Sequence, residues 1–346
     1  MTVLSPTLLS IGETRRRRAR QHVLLVGALL ACLVALFVLT LLRGQTYTPA
    51  GDVIRFLAGE NVPGIAFTVG QLRLPRAVLS ILAGISFGLG GIAFQTMLRN
   101  PLASPDIIGI SSAASAAAVF AIVVLQLNGP IVSVFAVASG LGVAMLVYGL
   151  SFRNGAAGAR LILVGIGVSA MLESFIAYIL SGAGGWNLQE AMRWLTGSVN
   201  GARLDQALPL LLAVIAFGAL LLAHRRDLEA LRLGDDTAAA LGVPVTRIRI
   251  IVIVAAVGMI AFATAVAGPI AFVAFLSGPI AARVVRTGGS LLIPSALIGA
   301  LLVLAGDYCG QYVFPSRYPV GVVTGALGAP YLIYLIIRVN RKGGTL

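Results

Sequence analysis

The sequence has 346 residues, of which 58% are hydrophobic and only 11% are charged, and its mean hydropathy is +0.98. This composition excludes a soluble globular protein, because too few polar residues remain to cover a surface that faces water. The net charge of +13 is distributed between hydrophobic runs. That pattern is typical of membrane topology signals, whereas a nucleic-acid-binding protein gathers its basic residues on one solvated face.

The hydrophobic runs predict an all-α polytopic membrane protein with about ten transmembrane helices. The first run follows the basic residues Arg15–Arg18 and Arg20. It is long enough to cross the bilayer and no A-x-A site ends it, so we interpret it as a retained span rather than a signal peptide. In chain order, the predicted spans are 23–42, 77–97, 107–125, 129–152, 161–181, 207–223, 250–266, 268–282, 291–307 and 319–337.

The stretch from Ile250 to Ala282 decides the number of spans. It contains no charged residue and is too long for one span, so we predict a hairpin that turns at Gly268-Pro269 and has a short second arm. The hairpin also gives the better charge distribution. With both termini in the cytoplasm, most of the 25 Lys and Arg residues fall in cytoplasmic segments, as the positive-inside rule requires.

These boundaries define the predicted organisation. Residues 1–22 form a basic cytoplasmic N-terminus, 23–337 form a single transmembrane domain, and 338–346 form a cytoplasmic tail. Two halves of five spans would have opposite orientations, as in the inverted repeats of transporters. Gly84 and Gly88, four residues apart in the second span, predict close contact with a neighbouring helix.

The longest polar cytoplasmic segment, 224–249, contains a predicted short helix. Asp235 and Asp236 suit its positive N-terminus, the alanines that follow propagate it, and Gly242 stops it. A helix this short needs a partner to pack on. Two interpretations stay open: a solvated linker, or a coupling helix that docks in a groove on another protein. The candidate coupling residues are Leu233, Gly234, Asp235, Asp236, Thr237, Ala238, Ala239, Ala240, Leu241 and Gly242.

The sequence contains no nucleotide-binding P-loop. Such a loop needs a lysine directly before Ser or Thr, and the only lysine, Lys342, precedes Gly343. An ATPase that drives this protein must therefore be another chain, which would use the ATP and magnesium. We expect no cofactor and no metal site in this chain. The cysteines and histidines are interpreted as packing and interface residues: Cys32, Cys309, His22 and His224.

Two arginines flank a proline at the outer start of the second span, in Arg73-Leu74-Pro75-Arg76. Anchoring at lipid headgroups is one explanation. It does not explain why two arginines face outward against the positive-inside rule. An acidic partner on the outer side would account for both.

Several ordered motifs occur along nearly the whole chain. They are Arg73-Leu74-Pro75-Arg76, Gln95 with Arg99-Asn100-Pro101-Leu102-Ala103, Gly109-Ile110-Ser111, Trp194-Leu195-Thr196-Gly197-Ser198, the segment 233–243, Gly268-Pro269-Ile270-Ala271-Phe272-Val273, and Pro319-Val320-Gly321 through Gly328-Ala329-Pro330. Together these motifs resemble the FecCD family of importer permeases. That family moves ferric siderophores, haem and cobalamin, and its ten-span topology agrees with the prediction above.

The resemblance implies a permease subunit of an ATP-driven importer in the bacterial inner membrane. Its implied partners are a second permease subunit, identical or homologous, cytoplasmic ATPase subunits on the coupling residues, an extracytoplasmic binding protein and membrane lipid, with no nucleic acid. By position, Arg73 and Arg76 match family arginines that pair with glutamates of the binding protein. Gln311 occupies the place of a third family arginine, and Arg317 nearby is the candidate substitute.

Three residues are candidates for lining the pathway: Glu173, Gln95 and Trp194. A charged carboxyl at the centre of a bilayer costs about 2.5 kcal/mol or more. Glu173 therefore either faces the pathway or is held protonated by a helix partner. Asp307, near the outer end of its span, is interpreted as a helix-end or packing residue rather than a gate. Trp194 is an aromatic-belt anchor or part of a vestibule.

A ferric siderophore is the favoured cargo, and haem or cobalamin is the alternative. The segment Trp194–Ser198, and Ile280 at a position where the family often has histidine, resemble siderophore permeases more closely. An ion-coupled secondary transporter is a distant alternative, because such a carrier needs intramembrane groups that bind its ion and only Glu173 is well placed. An intramembrane enzyme is disfavoured, since the sequence has no H-E-x-x-H motif.

Overall fold

The computed structural model describes residues 6–151, 158–285 and 289–341. Within these residues the chain is helical and forms no β-strand. The predicted cytoplasmic residues Arg153, Arg286 and Lys342 lie outside the described part. The α-helices are α1 (Pro6–Leu42), α2 (Ala50–Leu57), α3 (Leu74–Leu98), α4 (Ile110–Val123), α5 (Pro130–Ser151), α6 (Gly158–Ser181), α7 (Gly185–Leu195), α8 (Ala207–Ala223), α9 (Arg225–Leu231), α10 (Asp235–Ala240), α11 (Val245–Ala267), α12 (Val273–Val284), α13 (Leu292–Tyr312) and α14 (Val320–Arg341).

Each predicted span corresponds to a helix. Among the described residues, seven helical segments are long and apolar enough to cross a membrane, and they include all or most of α1, α3, α5, α6, α8, α11 and α13. Three shorter apolar helices, α4, α12 and the Val320–Leu335 part of α14, occupy the positions of the other predicted spans. The all-α polytopic fold is therefore confirmed, and the count of ten crossings and the inverted repeat stay predictions.

The long apolar stretch from Ile250 to Ala282 is divided as predicted. Helix α11 ends at Ala267, and Gly268 follows with a φ of 68°, a conformation that glycine adopts without steric cost. Helix α12 begins only at Val273, after Phe272 in a left-handed conformation. With 12 residues, α12 is the short second arm that the sequence predicted.

Helix α3 forms the centre of the bundle. In the most apolar part of its span, 83% of the residues are buried, compared with 11% in the corresponding parts of α1 and α6. It packs against α8, α11, α12 and α13. A methyl group on Gly84 would overlap the carbonyl oxygen of Gly299, and one on Gly88 would overlap that of Ser295. The glycines thus let the backbones of α3 and α13 touch, as the spacing predicted.

Three further helical elements were not predicted from the sequence. A π-helical segment, Ala66–Arg73, leads directly into α3, and α2 precedes it in the same outer region. Helix α7 follows the outer end of α6, and its Ala191 packs with Ile176 and Ile179 of that helix. These elements place Arg73 and Trp194 at the end of the bundle that the ten-span prediction puts outside.

Candidate functional site

The candidate coupling residues form a compact helical segment at the end of the bundle that the ten-span prediction places in the cytoplasm. Helix α10 spans Asp235–Ala240, between Gly234 with a φ of 107° and Gly242 with a φ of 85°. Both glycines adopt backbone conformations that few other residues tolerate. The predicted short helix and its glycine stop are therefore present in the structure.

The segment is anchored to the core by its buried side. Leu228 and Leu231 of α9 and Ala238 of α10 are 2%, 1% and 0% exposed, and all three belong to the main hydrophobic core. A solvated linker would not bury these side chains against the bundle. The segment is therefore a packed element of the fold.

Asp235 ties the beginning of α10 to two central helices. Its Oδ2 accepts a hydrogen bond of 2.7 Å from Nη2 of Arg249 in the first turns of α11, and its Oδ1 lies 3.9 Å from Nη2 of Arg99 at the end of α3. Arg99 adopts a left-handed conformation, with a φ of 53°, as it terminates α3. A displacement of α10 would thus pull directly on α3 and α11.

The opposite side of the segment is open and partly apolar. Leu233 and Leu241 are 63% and 64% exposed, although this is the polar side of the protein. Two exposed leucines on one short helical segment suit the apolar groove of another protein. The other exposed members of this surface are Asp236, Thr237, Ala239 and Ala240.

At the predicted outer end of the bundle, Arg73 is buried and forms hydrogen bonds within the chain. Its Nη1 donates to the carbonyl oxygen of Leu41 and to Oγ1 of Thr48, both at 2.9 Å, and its Nη2 donates to the carbonyl oxygen of Thr46 at 2.8 Å. The side chain therefore closes the end of α1 and the following loop onto α3. Docking by Arg73 stays a prediction, and it would require that loop to move.

Arg76 forms a bidentate ion pair with Asp307. Its Nε and Nη2 lie 3.0 and 2.6 Å from the two carboxylate oxygens, and the side chains are 13% and 4% exposed. Nη1 also donates to Oδ1 of Asn200 at 3.2 Å. One guanidinium thus joins α3, α13 and the loop that follows α7. Docking by Arg76 stays a prediction as well, since an acidic partner would have to compete with Asp307.

Arg317, in the loop between α13 and α14, is exposed and forms no ion pair among the described residues. Gln311, at the place of the missing family arginine, is half-buried at the end of α13. Of the three predicted docking residues, Arg317 alone presents its side chain to the outside.

Three of the quoted motifs meet at the outer end of the bundle. The amide of Ser198 donates to the carbonyl oxygen of Ala267 at 2.7 Å, and the amide of Gly321 donates to the carbonyl oxygen of Gly197 at 3.0 Å. A methyl group on Gly197 would overlap the Pro269 carbonyl oxygen. The loop after α7, the turn between α11 and α12, and the start of α14 therefore form one closely packed junction.

The three pathway candidates lie in different places. Gln95 is 4% exposed, and its Nε2 donates to the carbonyl oxygen of Phe275 at 3.0 Å, so it joins α3 to α12. Trp194 is half-buried at the end of α7 and lines a cavity of about 420 Å³ with Trp186, Glu190 and Arg193. Glu173 takes part in neither the contact between α3 and α12 nor the cavity beside Trp194, because it lies on the exposed surface of α6.

A model of the family described as the FecCD transport family matches residues 32–338. The chain belongs to the FecCD transport family. Two curated FecCD relatives cover nearly the whole chain. The ferric enterobactin transport system permease protein FepG of Escherichia coli (strain K12) is 39% identical over 90% of this chain and 94% of its own length. The probable siderophore transport system permease protein YfhA of Bacillus subtilis (strain 168) is 34% identical over 96% and 99%.

A solved structure has the same fold. It is described as an inward-facing conformation of a metal-chelate type ABC transporter, and it superposes with a TM-score of 0.79 over 90% of this chain and 98% of its own, at 24% identity. The resemblance seen in the motifs is therefore confirmed, and the chain is a multi-pass membrane protein of a permease family.

Sequence reasoning did not find the partners that hold the FecCD motifs in place. Asp307 was interpreted as a helix-end or packing residue, whereas it neutralises Arg76 from 231 positions away. Asp235 was interpreted as a helix-start residue, and it also binds Arg249. A single sequence carries no signal that pairs charges across such separations.

Proposed function

We propose that this chain is the membrane-spanning permease subunit of an ATP-driven importer in the bacterial inner membrane, and that its cargo is a ferric siderophore. Support for the class of transporter comes from the family and from the anchored α9–α10 segment. Support for the cargo comes from the two relatives, one named for ferric enterobactin and one for a siderophore. Haem or cobalamin is the alternative within the same family.

The observation that carries the proposal is the two-sided construction of the α9–α10 segment. The side of the segment that faces away from the bundle exposes Leu233 and Leu241, which suits the groove of a cytoplasmic ATPase subunit. On the side that faces the bundle, Asp235 forms ion pairs with Arg249 and Arg99. When the ATPase pair closes on ATP and magnesium, α10 transmits the movement to α3 and α11 and so changes access to the pathway.

The remaining parts follow from the same assembly. A second permease subunit, identical or homologous, completes a central pathway. An extracytoplasmic binding protein delivers the cargo to the outer surface, where Arg317 is open to a carboxylate and Arg76 is available if a partner displaces Asp307. Both termini lie in the cytoplasm. ATP hydrolysis is assigned to the partner ATPase, because the one lysine of this chain is not part of a P-loop.

The decisive experiment separates docking from coupling in proteoliposomes that contain the permease, its ATPase and its binding protein. We expect Leu241→Asp to weaken ATPase binding at least tenfold, because a carboxylate replaces an exposed leucine in the interface. Asp235→Asn should leave ATPase binding intact and lower the iron imported per ATP. The matched control is Leu57→Asp, which changes a leucine that is 54% exposed at the end of α2.

If the Leu241→Asp variant binds the ATPase as tightly as the wild type, the exposed side of the α9–α10 segment is not the docking site for the ATPase. Uptake that continues without the ATPase and stops with an uncoupler would instead favour an ion-coupled carrier. Parallel assays with a ferric siderophore, haem and cobalamin identify the cargo.

A further inference from the structure

Helix α1 continues beyond the predicted first span as a strongly basic helix. It runs without a break from Pro6 to Leu42, so the arginines before the apolar run belong to the same helix as the span. All five, Arg15–Arg18 and Arg20, are exposed, and none forms an ion pair within the described part of the chain. They lie about 4.5 to 12 Å along the axis from Val23, at 1.5 Å per residue. The headgroup layer on each side of the hydrocarbon core is about 5–8 Å thick, so the basic run lies in and just beyond it.

Arg15 and Arg18 lie on the side of α1 that packs against the bundle. At about 100° per residue, they fall within about 60° of His22 and Leu33 around the helix axis. Leu33 is buried in a cluster with residues of α13. The His22 ring lies against Gly289 in the loop before α13, because a methyl group on that glycine would come within 2.8 Å of its Nδ1. The other three arginines of the run lie on the opposite side of the helix.

The same side of α1 borders a large apolar cavity. Residues of α1, α12, α13 and α14 line this cavity, and its volume is about 790 Å³, within the range of about 300–1,000 Å³ that is usual for ligand-binding cavities. Leu29 of α1 lines it and lies on the His22 side of the helix, about 10 Å along the axis from His22. Val284 and Leu327 also line the cavity and are exposed. The cavity therefore opens to the outside of the bundle.

The composition of this region suits lipid better than it suits a second permease subunit. The exposed side chains of α1 are aliphatic, for example Leu30 and Val34, as expected against acyl chains. Helix α6 instead exposes Glu173 and Ser174 within its span. An acidic group at that depth is expected to face protein or water. The exposed side of α6 is therefore the better candidate for protein contact, and the side that carries α1 is the better candidate for lipid.

We propose that this region binds an anionic phospholipid, whose phosphate contacts Arg15 and Arg18 and whose acyl chain enters the apolar cavity. A ligand with an anionic head and a hydrocarbon chain is complementary to a basic stripe that continues into an apolar cavity along one side of one helix. A free phosphate would leave the cavity empty, and a neutral lipid would leave the arginines unpaired. The bound chain would fill the space between α1 and α14. The proposal depends neither on the cargo nor on the ATPase.

The test measures lipid binding to the purified full-length chain in detergent by native mass spectrometry. Dioleoyl phosphatidylglycerol and dioleoyl phosphatidylcholine are titrated separately, because they have the same acyl chains and differ in headgroup charge. We expect phosphatidylglycerol to bind at least tenfold more tightly. The double variant Arg15→Gln, Arg18→Gln should bind phosphatidylglycerol about twentyfold more weakly, since each basic residue beside an anionic lipid contributes about fivefold. Its binding of phosphatidylcholine should be unchanged.

Matched variants separate the two parts of the site. Arg16→Gln with Arg17→Gln removes the same charge from the opposite side of the helix and should change phosphatidylglycerol binding less than threefold. Ala326→Phe adds a ring at an exposed position that lines the cavity and should weaken the binding of both lipids. Ala28→Phe adds the same ring on the exposed surface of α1 and should not. Thermal unfolding of each variant verifies that the fold is retained.

Three outcomes would overturn the proposal. Equal losses in the two arginine pairs would mean that the basic run attracts anionic lipid diffusely, without a site. Displacement of phosphatidylglycerol by an equal concentration of glycerol 3-phosphate would mean that the chain binds a free phosphate group. Unchanged lipid binding in Ala326→Phe would remove the acyl chain from the cavity, and loss of permease dimers in that variant would identify a second permease subunit as the occupant.

Discussion

At the scale of single residues, the outer surface is organised by a nearly buried ion pair. Arg76 and Asp307 have side chains that are 13% and 4% exposed, so both charges are largely removed from water. Removing one partner of such a pair leaves an uncompensated charge, which costs more than the pair itself contributes. The two residues should therefore behave as a unit in mutagenesis.

We expect Arg76→Met or Asp307→Leu alone to lower the free energy of unfolding by about 3 kcal/mol, and the double variant to recover much of that loss. Thermal unfolding of the purified protein in detergent, followed by tryptophan fluorescence, measures the effect. Arg203→Ala is the control, since its pair with Asp205 is 74% and 60% exposed and should contribute little. Additive effects of the two single changes would contradict the coupling.

The same residues show what the sequence can predict at this scale. The motif Arg73-Leu74-Pro75-Arg76 indicated two unusual arginines, and the structure places both at the end of the bundle that the ten-span prediction puts outside. Their surroundings could not be predicted, because Arg73 is satisfied by backbone carbonyls around residue 46 and Arg76 by a carboxylate at 307. Such contacts depend on how distant helices pack.

At the scale of elements, small residues determine how closely the central helices approach. Gly88 and Gly84 of α3 contact the backbone of α13 at Ser295 and Gly299. Without a hydrophobic force between helices in lipid, this close contact supplies much of the attraction. A methyl group here would separate two of the most buried helices in the bundle.

We expect Gly88→Ala to lower the stability of the protein in detergent by about 1–3 kcal/mol, the usual cost of overpacking. Gly142→Ala on α5 is the matched control, because a methyl group there would meet no atom within 4 Å. Alanine favours helix over glycine by about 1 kcal/mol, so the control should be unchanged or more stable. Equal unfolding temperatures for the two variants would show that the α3–α13 contact is not tightly packed.

Hydrophobic periodicity and helix-breaking Gly and Pro residues predicted which elements exist better than they predicted the lengths of those elements. The turn at Gly268-Pro269 and the short helix α10 were both predicted from local sequence. Helices α2 and α7 were not, since they are too short and too polar to register as spans. The position of Gln95 could not be predicted either, because its contact with Phe275 exists only once α12 packs against α3.

At the scale of the whole molecule, the contacts agree with one arrangement in the membrane. The contacts of Arg76 with Asp307 and of Ser198 with Ala267 join helix ends that the ten-span prediction places outside. The contacts of Asp235 with Arg249 and Arg99 join helix ends that the same prediction places inside. Charge counting and helix packing are separate arguments, and both favour a crossing by α12 before α13 begins.

The ten-span arrangement predicts which positions are open to each side. In a Cys32→Ser, Cys309→Ser background, we expect Asn128→Cys and Ser316→Cys to react with a membrane-impermeant maleimide in intact spheroplasts. Thr246→Cys should react only in inverted vesicles. All three positions are exposed, so accessibility depends on the side of the membrane, and the cysteine-free parent measures background labelling. Ser316→Cys is decisive, because labelling only from the inner side would mean that the region 245–284 crosses the bilayer once and that the C-terminus lies outside.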